Sequence, residues 1–387
     1  MANISQFVKV SFFIRKATSL AIFFSNLGYL CTASASDFVD GFSIPTNKVI
    51  SIATIEGLKE VFKADTQYYK DIETFLTQKG NLRPNKSGAN EVIVYVGTLS
   101  SGEDYGTLVD EFISVNANFA RLTIDSRNVG DIFAAAKKAQ ANDVRFIAQT
   151  SSSTISSAES NNIASQMKAL GLNLVDIDFH SDDTESLAMA DAAVATQEIM
   201  GSVGDLYSQF TNVTPKKYTE TQETNLKNLY TSFYTTVAFK DGGSLDNYAQ
   251  KLLLGGFTIS GEDRKRQDII YYIDKKMKAA GLDFLATKPA YTDGQANVLN
   301  QIYTSILIEA QNNNLIVPDT IDSNGNQVKG FEIRPIYPSD MRKSDESSYN
   351  ARRFKEVGYY YDALTGREVA IDFTIDPKDY DIATLGF

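Results

Sequence analysis

The densest run of chemistry-bearing side chains is Asp176-Ile177-Asp178-Phe179-His180-Ser181-Asp182-Asp183. It places four carboxylates and the only histidine within eight residues, at the carboxyl end of an expected strand. α/β proteins put ligands at that end of a sheet, and hard cations favour such oxygen sets. The plainer reading is a solvated strand-to-helix loop in which Asp182 or Asp183 caps the next helix, and it is preferred. Residues 319–329 have the look of a calcium loop but fail its register, because Gly325 directly follows Asn324. Asn324-Gly325 predicts a tight hairpin turn instead.

Other chemistries lack their parts. One histidine excludes a two-histidine metal site and a relay through a second histidine. No G-x-G-x-x-G follows a strand, and neither a P-loop nor a G-x-S-x-G elbow is present. Gly242-Gly243 and Gly255-Gly256 read as turns, and Cys31, the sole cysteine, has no intrachain partner. No catalytic residue, metal ligand or cofactor is therefore assigned. The remaining candidate is a basic cluster, Arg264, Lys265 and Arg266, continued by Lys275, Lys276 and Lys278. It reads either as a solvated helix face or as an electrostatic contact to an acidic partner.

The elements that position these residues come from a chain of 387 residues, 43% hydrophobic, with net charge −11. That length predicts two domains or one core with an insertion. The acidity argues against nucleic-acid binding, and no run approaches the ~20 apolar residues of a membrane span. Residues 20–30, followed by Ala33-Ser34-Ala35, imitate a secretory signal. Ser25, Asn26 and Gly28 interrupt that run, and the preceding 7–14 stretch is itself apolar, so a retained start is expected.

From residue 50 onward the pattern is mixed α/β. Thr54 and Thr66 cap two helices, and 91–96 reads as a strand covered on both faces. Helices at 108–115, 129–141, 163–170 and 185–200 then alternate with strands at 120–124, 144–149 and 172–177. Such alternation predicts a largely parallel sheet flanked by helices. Residues 209–223 read as a connector, 226–239 as strand or buried helix, and 257–259 as a short strand. A helix over 262–280 carries Ile269, Ile270, Ile273 and Met277 on one face and is expected to end at Gly281. A second helix, capped by Thr292 or Asp293, carries Val298, Leu299, Ile302, Ile306 and Leu307.

Both termini read as single amphipathic strands. Near the start, Val8, Val10, Phe12 and Ile14 fall on one face, with Phe7 on the other; near the end, Val369, Ile371 and Phe373 share a face that Ile375 continues. A lone strand leaves its backbone donors and acceptors bare unless another strand pairs with it. The two ends either close one small sheet or each add to a neighbour's sheet.

Several segments resemble the contractile tail sheath family, in its phage branch. They are the opening MANISQFVKVSFFIRKATSLAIFFSNLGYL, Glu60-Val61-Phe62 with Tyr68, Tyr69 and Phe75, and Ala190-Asp191-Ala192-Ala193 running to Gly201-Ser202. More specific are Ile259-Ser260-Gly261-Glu262, Lys288-Pro289-Ala290-Tyr291-Thr292-Asp293-Gly294, Leu315-Ile316-Val317-Pro318 and Arg352-Arg353. Asp362-Ala363-Leu364-Thr365-Gly366-Arg367 departs from the family's small-residue run.

The resemblance implies a mixed α/β, two-part subunit with extended N- and C-terminal β-strand arms. Its parts would be an N-terminal arm (1–25), an outer α/β domain (26–223), an inner tube-facing domain (224–365) and a C-terminal arm (366–387). It further implies a non-enzymatic protein that polymerises helically, in hexameric rings, around a tail tube protein. Contraction would drive the tube through the host envelope for genome delivery. Baseplate and tail terminator proteins would be the other partners, without nucleic acid or membrane insertion, in a virion tail assembled in the host cytoplasm. The arm residues would then pair between subunits, and the basic helix would face the tube. The sheath of a tailocin or secretion-type injector fits equally, and an α/β periplasmic ligand-binding protein or an enzyme using the aspartate run is the reading from another class.

Overall fold

The computed structural model describes residues 26–78, 91–116, 119–197, 208–239 and 248–375. The expected N-terminal strand, with Phe7, Val8, Val10, Phe12 and Ile14, lies outside them, as do residues 376–387. The chain divides into two compact units, and the break follows Arg264 rather than residue 223.

The first unit is built on an eight-stranded sheet. Its strands are β1 (Leu27–Cys31), β2 (Val49–Ile52), β3 (Val92–Val96), β4 (Arg121–Ile124), β5 (Arg145–Thr150), β6 (Val175–Phe179), β7 (Ser232–Phe239) and β8 (Tyr248–Leu254), in the order β2-β3-β1-β4-β5-β6-β7-β8. The six inner strands run parallel, and the edge strands β2 and β8 are antiparallel. This places β7 and β8 in the first unit and so moves the boundary past 223.

Among its described residues are eight α-helices: α1 (Ile55–Lys59), α2 (Gln67–Thr77), α3 (Tyr105–Val115), α4 (Val129–Ala141), α5 (Ser153–Ser156), α6 (Ile163–Ala169), α7 (Leu187–Gln197) and α8 (Glu220–Asn228). The side chains of Thr54, Thr66, Asp104, Asn128 and Asn162 cap α1, α2, α3, α4 and α6 by accepting a first-turn N–H. Strands β1, β3, β4, β5 and β6 are buried along their whole length, as parallel strands covered on both faces must be. Leu108, Phe112, Ala135 and Met167 fill one core; Ile72, Phe75, Ala188 and Ala192 fill another.

The run that imitates a signal contains β1, a central strand between β3 and β4; cleavage after Ala35 would remove it. Three expectations change here. The 209–223 connector contains the start of α8. The undecided 226–239 stretch is the end of α8 followed by β7. No strand forms at 257–259: a single bridge, Phe257 to Asp263, closes a turn there.

The second unit holds a three-stranded antiparallel sheet, a small hairpin and the helices that follow Arg264. Helix α9 (Arg264–Ala286) begins on the last residue of the first unit, and α10 (Asp293–Asn312) is capped by Thr292. The hairpin strands β9 (Thr320–Ile321) and β10 (Gln327–Val328) flank Asn324-Gly325, with Gly325 at φ +84°, as the turn reading requires. The sheet has the order β11-β12-β13, from Phe331–Ile336, Phe354–Tyr361 and Glu368–Ile375; α11 (Pro338–Ser344) and α12 (Glu346–Asn350) link its first two strands.

Gly281 does not end α9 but sits inside it. A Cβ there would lie 2.5 Å from Tyr303 Oη and 2.8 Å from Ile375 Cδ1, so glycine serves close packing rather than a helix stop. Among the described residues no helix is long and apolar enough to cross a membrane.

Candidate functional site

The aspartate run separates into a buried half and a surface half. Asp176 and Asp178 are two residues apart on β6 and share a face. Arg145, on the adjacent strand, donates to Asp176 Oδ2 at 2.7 Å. Arg264 forms an ion pair with Asp191 of α7, lies 3.5 Å from Asp176 and 3.6 Å from Asp178, and donates to Ser232 Oγ at 3.1 Å. These charged side chains are at most 1% exposed. Burial of so many charges is tolerable only because each sign meets the other. Sealed from water, the cluster has no face to offer a substrate; its chemistry is structural cross-linking of β5, β6, α7 and the first residue of α9.

The surface half is a local turn. Asp182 accepts from the Thr184 hydroxyl at 2.7 Å and from Lys216 at 3.1 Å, and these contacts hold its carboxyl down to about 2. Neither Asp182 nor Asp183 caps α7. Gln149 of β5 does so, its Oε1 accepting from the N–H groups of Leu187 and Ala188. His180 is fully buried, with Nδ1 and Nε2 each 3.0 Å from a main-chain carbonyl, of Asp182 and Thr214.

The strand order reverses around β1, with β3 on one side and β4 on the other; α/β folds keep their ligand crevice at the carboxyl ends of such strands. Here that position is filled by residues the sequence reading passed over. Asp125 accepts from Thr32 N and Oγ1, each at 2.9 Å, and from Tyr105 Oη at 2.8 Å, and burial raises its pKa. Asp71 accepts from Tyr29 Oη at 2.7 Å and Gln67 Nε2 at 2.8 Å, while Arg127 reaches Ser186 at 2.9 Å. The only signal in the sequence was the position of Asp125, directly after a strand.

The basic cluster does not form one exposed face. Arg264 is core. Arg266 Nε donates to Asp362 at 3.1 Å, Lys276 pairs with Glu309, Lys278 pairs with Asp274 at 2.5 Å, and Lys275 lies 5.0 Å over the Tyr271 ring. Lys265 is partly exposed. The apolar stripe of α9 that sequence periodicity picked out packs its own unit, and the cations between its members are drawn into local pairs.

The C-terminal strand finds one partner in its own chain. β13 pairs antiparallel with β12 from Phe354↔Ile375 to Tyr361↔Glu368. Val369, Ile371, Phe373 and Ile375 are buried on its inner face, where Phe373 meets Tyr303 of α10 edge-on at 5.1 Å. Their side chains are core, so the expected pairing between subunits is left to the backbone of the strand's other edge. β13 is nevertheless the last strand of its sheet: no described strand pairs with its other edge. A small pocket of about 40 Å³ is lined by Ile270, Ile273 and Met277 of α9 and by Tyr360, Val369, Ile371 and Phe373 of the sheet.

The same inner face holds an unexpected carboxylate. Glu356 lies in the row Pro335–Glu356–Phe373 and is 1% exposed. Asn300 Nδ2 donates to Oε2 at 2.9 Å, and no described donor reaches Oε1. Burial pushes its pKa up to about 7, with Asn300 opposing.

Neither a scan of protein-family models nor a search of curated protein sequences returns a match. Solved structures do match. A sheath tail protein of Desulfitobacterium hafniense superposes with a TM-score of 0.57 at 10% identity, over 95% of this chain and 100% of that one. A chain of the anti-feeding prophage helical sheath in its contracted state gives 0.56 at 10% identity, over 95% and 96%. A chain of the anti-feeding prophage baseplate gives 0.55 at 11% identity, over 95% and 99%. The mixed α/β fold of this chain is similar to that of these sheath proteins.

Proposed function

We propose that the chain is the sheath subunit of a contractile tail: it polymerises helically around a tube and contracts to drive that tube forward. The observation that carries this reading is fold similarity covering 95% of this chain and 96–100% of the two sheath proteins it matches. The interior supports it. Of the aspartates that would serve an enzyme or a periplasmic ligand-binding protein, Asp176 and Asp178 are locked in buried ion pairs, Asp182 is held in a local turn by Thr184 and Lys216, and the switch-point side chains are spent on one another. The protein is accordingly proposed as structural, without catalytic activity. A tailocin or secretion-type injector uses the same subunit logic, and the anti-feeding prophage matches keep that second reading open.

Self-association is assigned to the second unit. β13 leaves one edge bare, and a bare edge is a template for an added strand. Residues 5–15, with Phe7, Val8, Val10, Phe12 and Ile14, have the alternation of such a strand and are proposed to come from a neighbouring copy. The second unit is proposed as the inner, tube-facing part and the first as the outer part. Tube, baseplate and terminator proteins are the proposed partners, in a virion tail put together in the host cytoplasm. With most of α9's cations paired, the tube contact is not assigned to that helix alone.

Deleting 368–387 does not isolate the tether, because it removes a core strand along with it. Deleting residues 1–16 does. The expected result is a folded chain with unchanged far-UV circular dichroism that sediments as a monomer, while the full chain forms large polymers. Polymers of equal length from both chains would refute the tether role.

A further inference from the structure

The excess negative charge is confined to one unit. In the described part of the first unit, residues 26–264, 26 carboxylates face 15 lysines and arginines. The buried members nearly cancel: Asp71, Asp176, Asp178 and Asp191 against Arg121, Arg145 and Arg264. That leaves 22 carboxylates against 12 cations outside the core. In the described part of the second unit, residues 265–375, 15 carboxylates face 14 cations. The near-neutral unit is the one that carries the bare edge of β13.

Like-charged surfaces held in a close array repel, and mobile ions set the range of that repulsion. It reaches about 30 Å at 0.01 M salt, about 10 Å at 0.1 M and about 3 Å at 1 M. We infer that copies of this chain associate through the near-neutral unit, and that repulsion between their acidic units, relieved by cation screening, sets how closely they pack. The inference rests on the self-assembly reading above. Among the described residues no group of three or more His, Cys, Asp or Glu side chains is placed to hold a metal ion. Ionic strength is the control variable of this inference, and a magnesium arm tests for a bound ion.

The test uses the full chain at about 10, 100 and 500 mM NaCl, and MgCl2 at matched ionic strength, read by sedimentation velocity and negative-stain imaging. The polymerised fraction is expected to rise about tenfold over that range, equally for both salts. A variant carrying Glu56→Gln, Glu60→Gln, Asp65→Asn and Asp183→Asn, all exposed positions, is expected to assemble in the lowest salt as the natural chain does in the middle one. A flat or falling salt response overturns the inference, as does a variant that assembles like the natural chain. Magnesium acting far below the matched ionic strength overturns it in favour of a bound ion. Polymers with a flat salt profile sink this inference alone; no polymer in any salt sinks the self-assembly reading with it.

Discussion

Two buried side chains carry the sharpest residue-scale expectations. Glu356 has a folded pKa near 7 against the usual 4.5. The folded state therefore holds a proton that the unfolded chain has lost between those values. The contribution of Glu356 to stability is full below about pH 4.5, declines as pH climbs toward 7, and is level above that. The loss amounts to roughly 3 kcal/mol. Glu356→Gln keeps the amide contact to Asn300 without the charge. Its urea midpoint at pH 8 should exceed that of the natural chain, and the gap should close by pH 4.5; a constant gap across that range contradicts the assignment. Arg264 is the second case. Arg264→Met leaves Asp176, Asp178 and Asp191 with a cation missing from a sealed cluster, at a cost of about 3–5 kcal/mol. Denaturant unfolding measures this, and a cost under about 1 kcal/mol would mean the cluster is solvated.

At the scale of elements, Gly281 and β13 are tied together. Gly281→Ala gains about 1 kcal/mol of helix propensity, yet its methyl meets Tyr303 Oη and Ile375 Cδ1. A net loss of about 1–3 kcal/mol is expected. Pairing it with Tyr303→Phe removes one of the two clashing atoms, so the double variant should recover part of that loss; strict additivity of the two changes would deny the contact.

Local pattern made much of the first unit legible. Continuous apolar runs marked β3 and β5, and Thr54, Thr66 and the alternation of elements marked the surrounding helices. Three features stayed hidden for physical reasons. β1 is only five residues long and lies inside an apolar run that imitates a signal, so no strand alternation marked it. β12 was missed because Glu356 and Gly358 occupy inner-face positions between Phe354 and Tyr360, which erases its alternation. Without β12 the alternation of β13 was readable but its partner was not. The buried ion cluster was invisible because pairing between Arg264 and Asp191 spans 73 residues of sequence, and a local run of aspartates looks the same whether sealed or solvated.

For the whole molecule, the two units differ: the described part of one carries an open sheet edge and little net charge, the described part of the other an acidic excess around a doubly covered sheet. The proposed helical assembly needs a tether that survives rearrangement, and backbone pairing along β13 would supply one, since breaking it would strand unpaired N–H and C=O groups. The most direct measurement is a cryo-electron microscopy reconstruction of the full chain after assembly. The account predicts tubes in which a strand from another copy lies along the free edge of Glu368–Ile375. A chain that stays monomeric, or a β13 edge covered by that same copy's own residues, would contradict it.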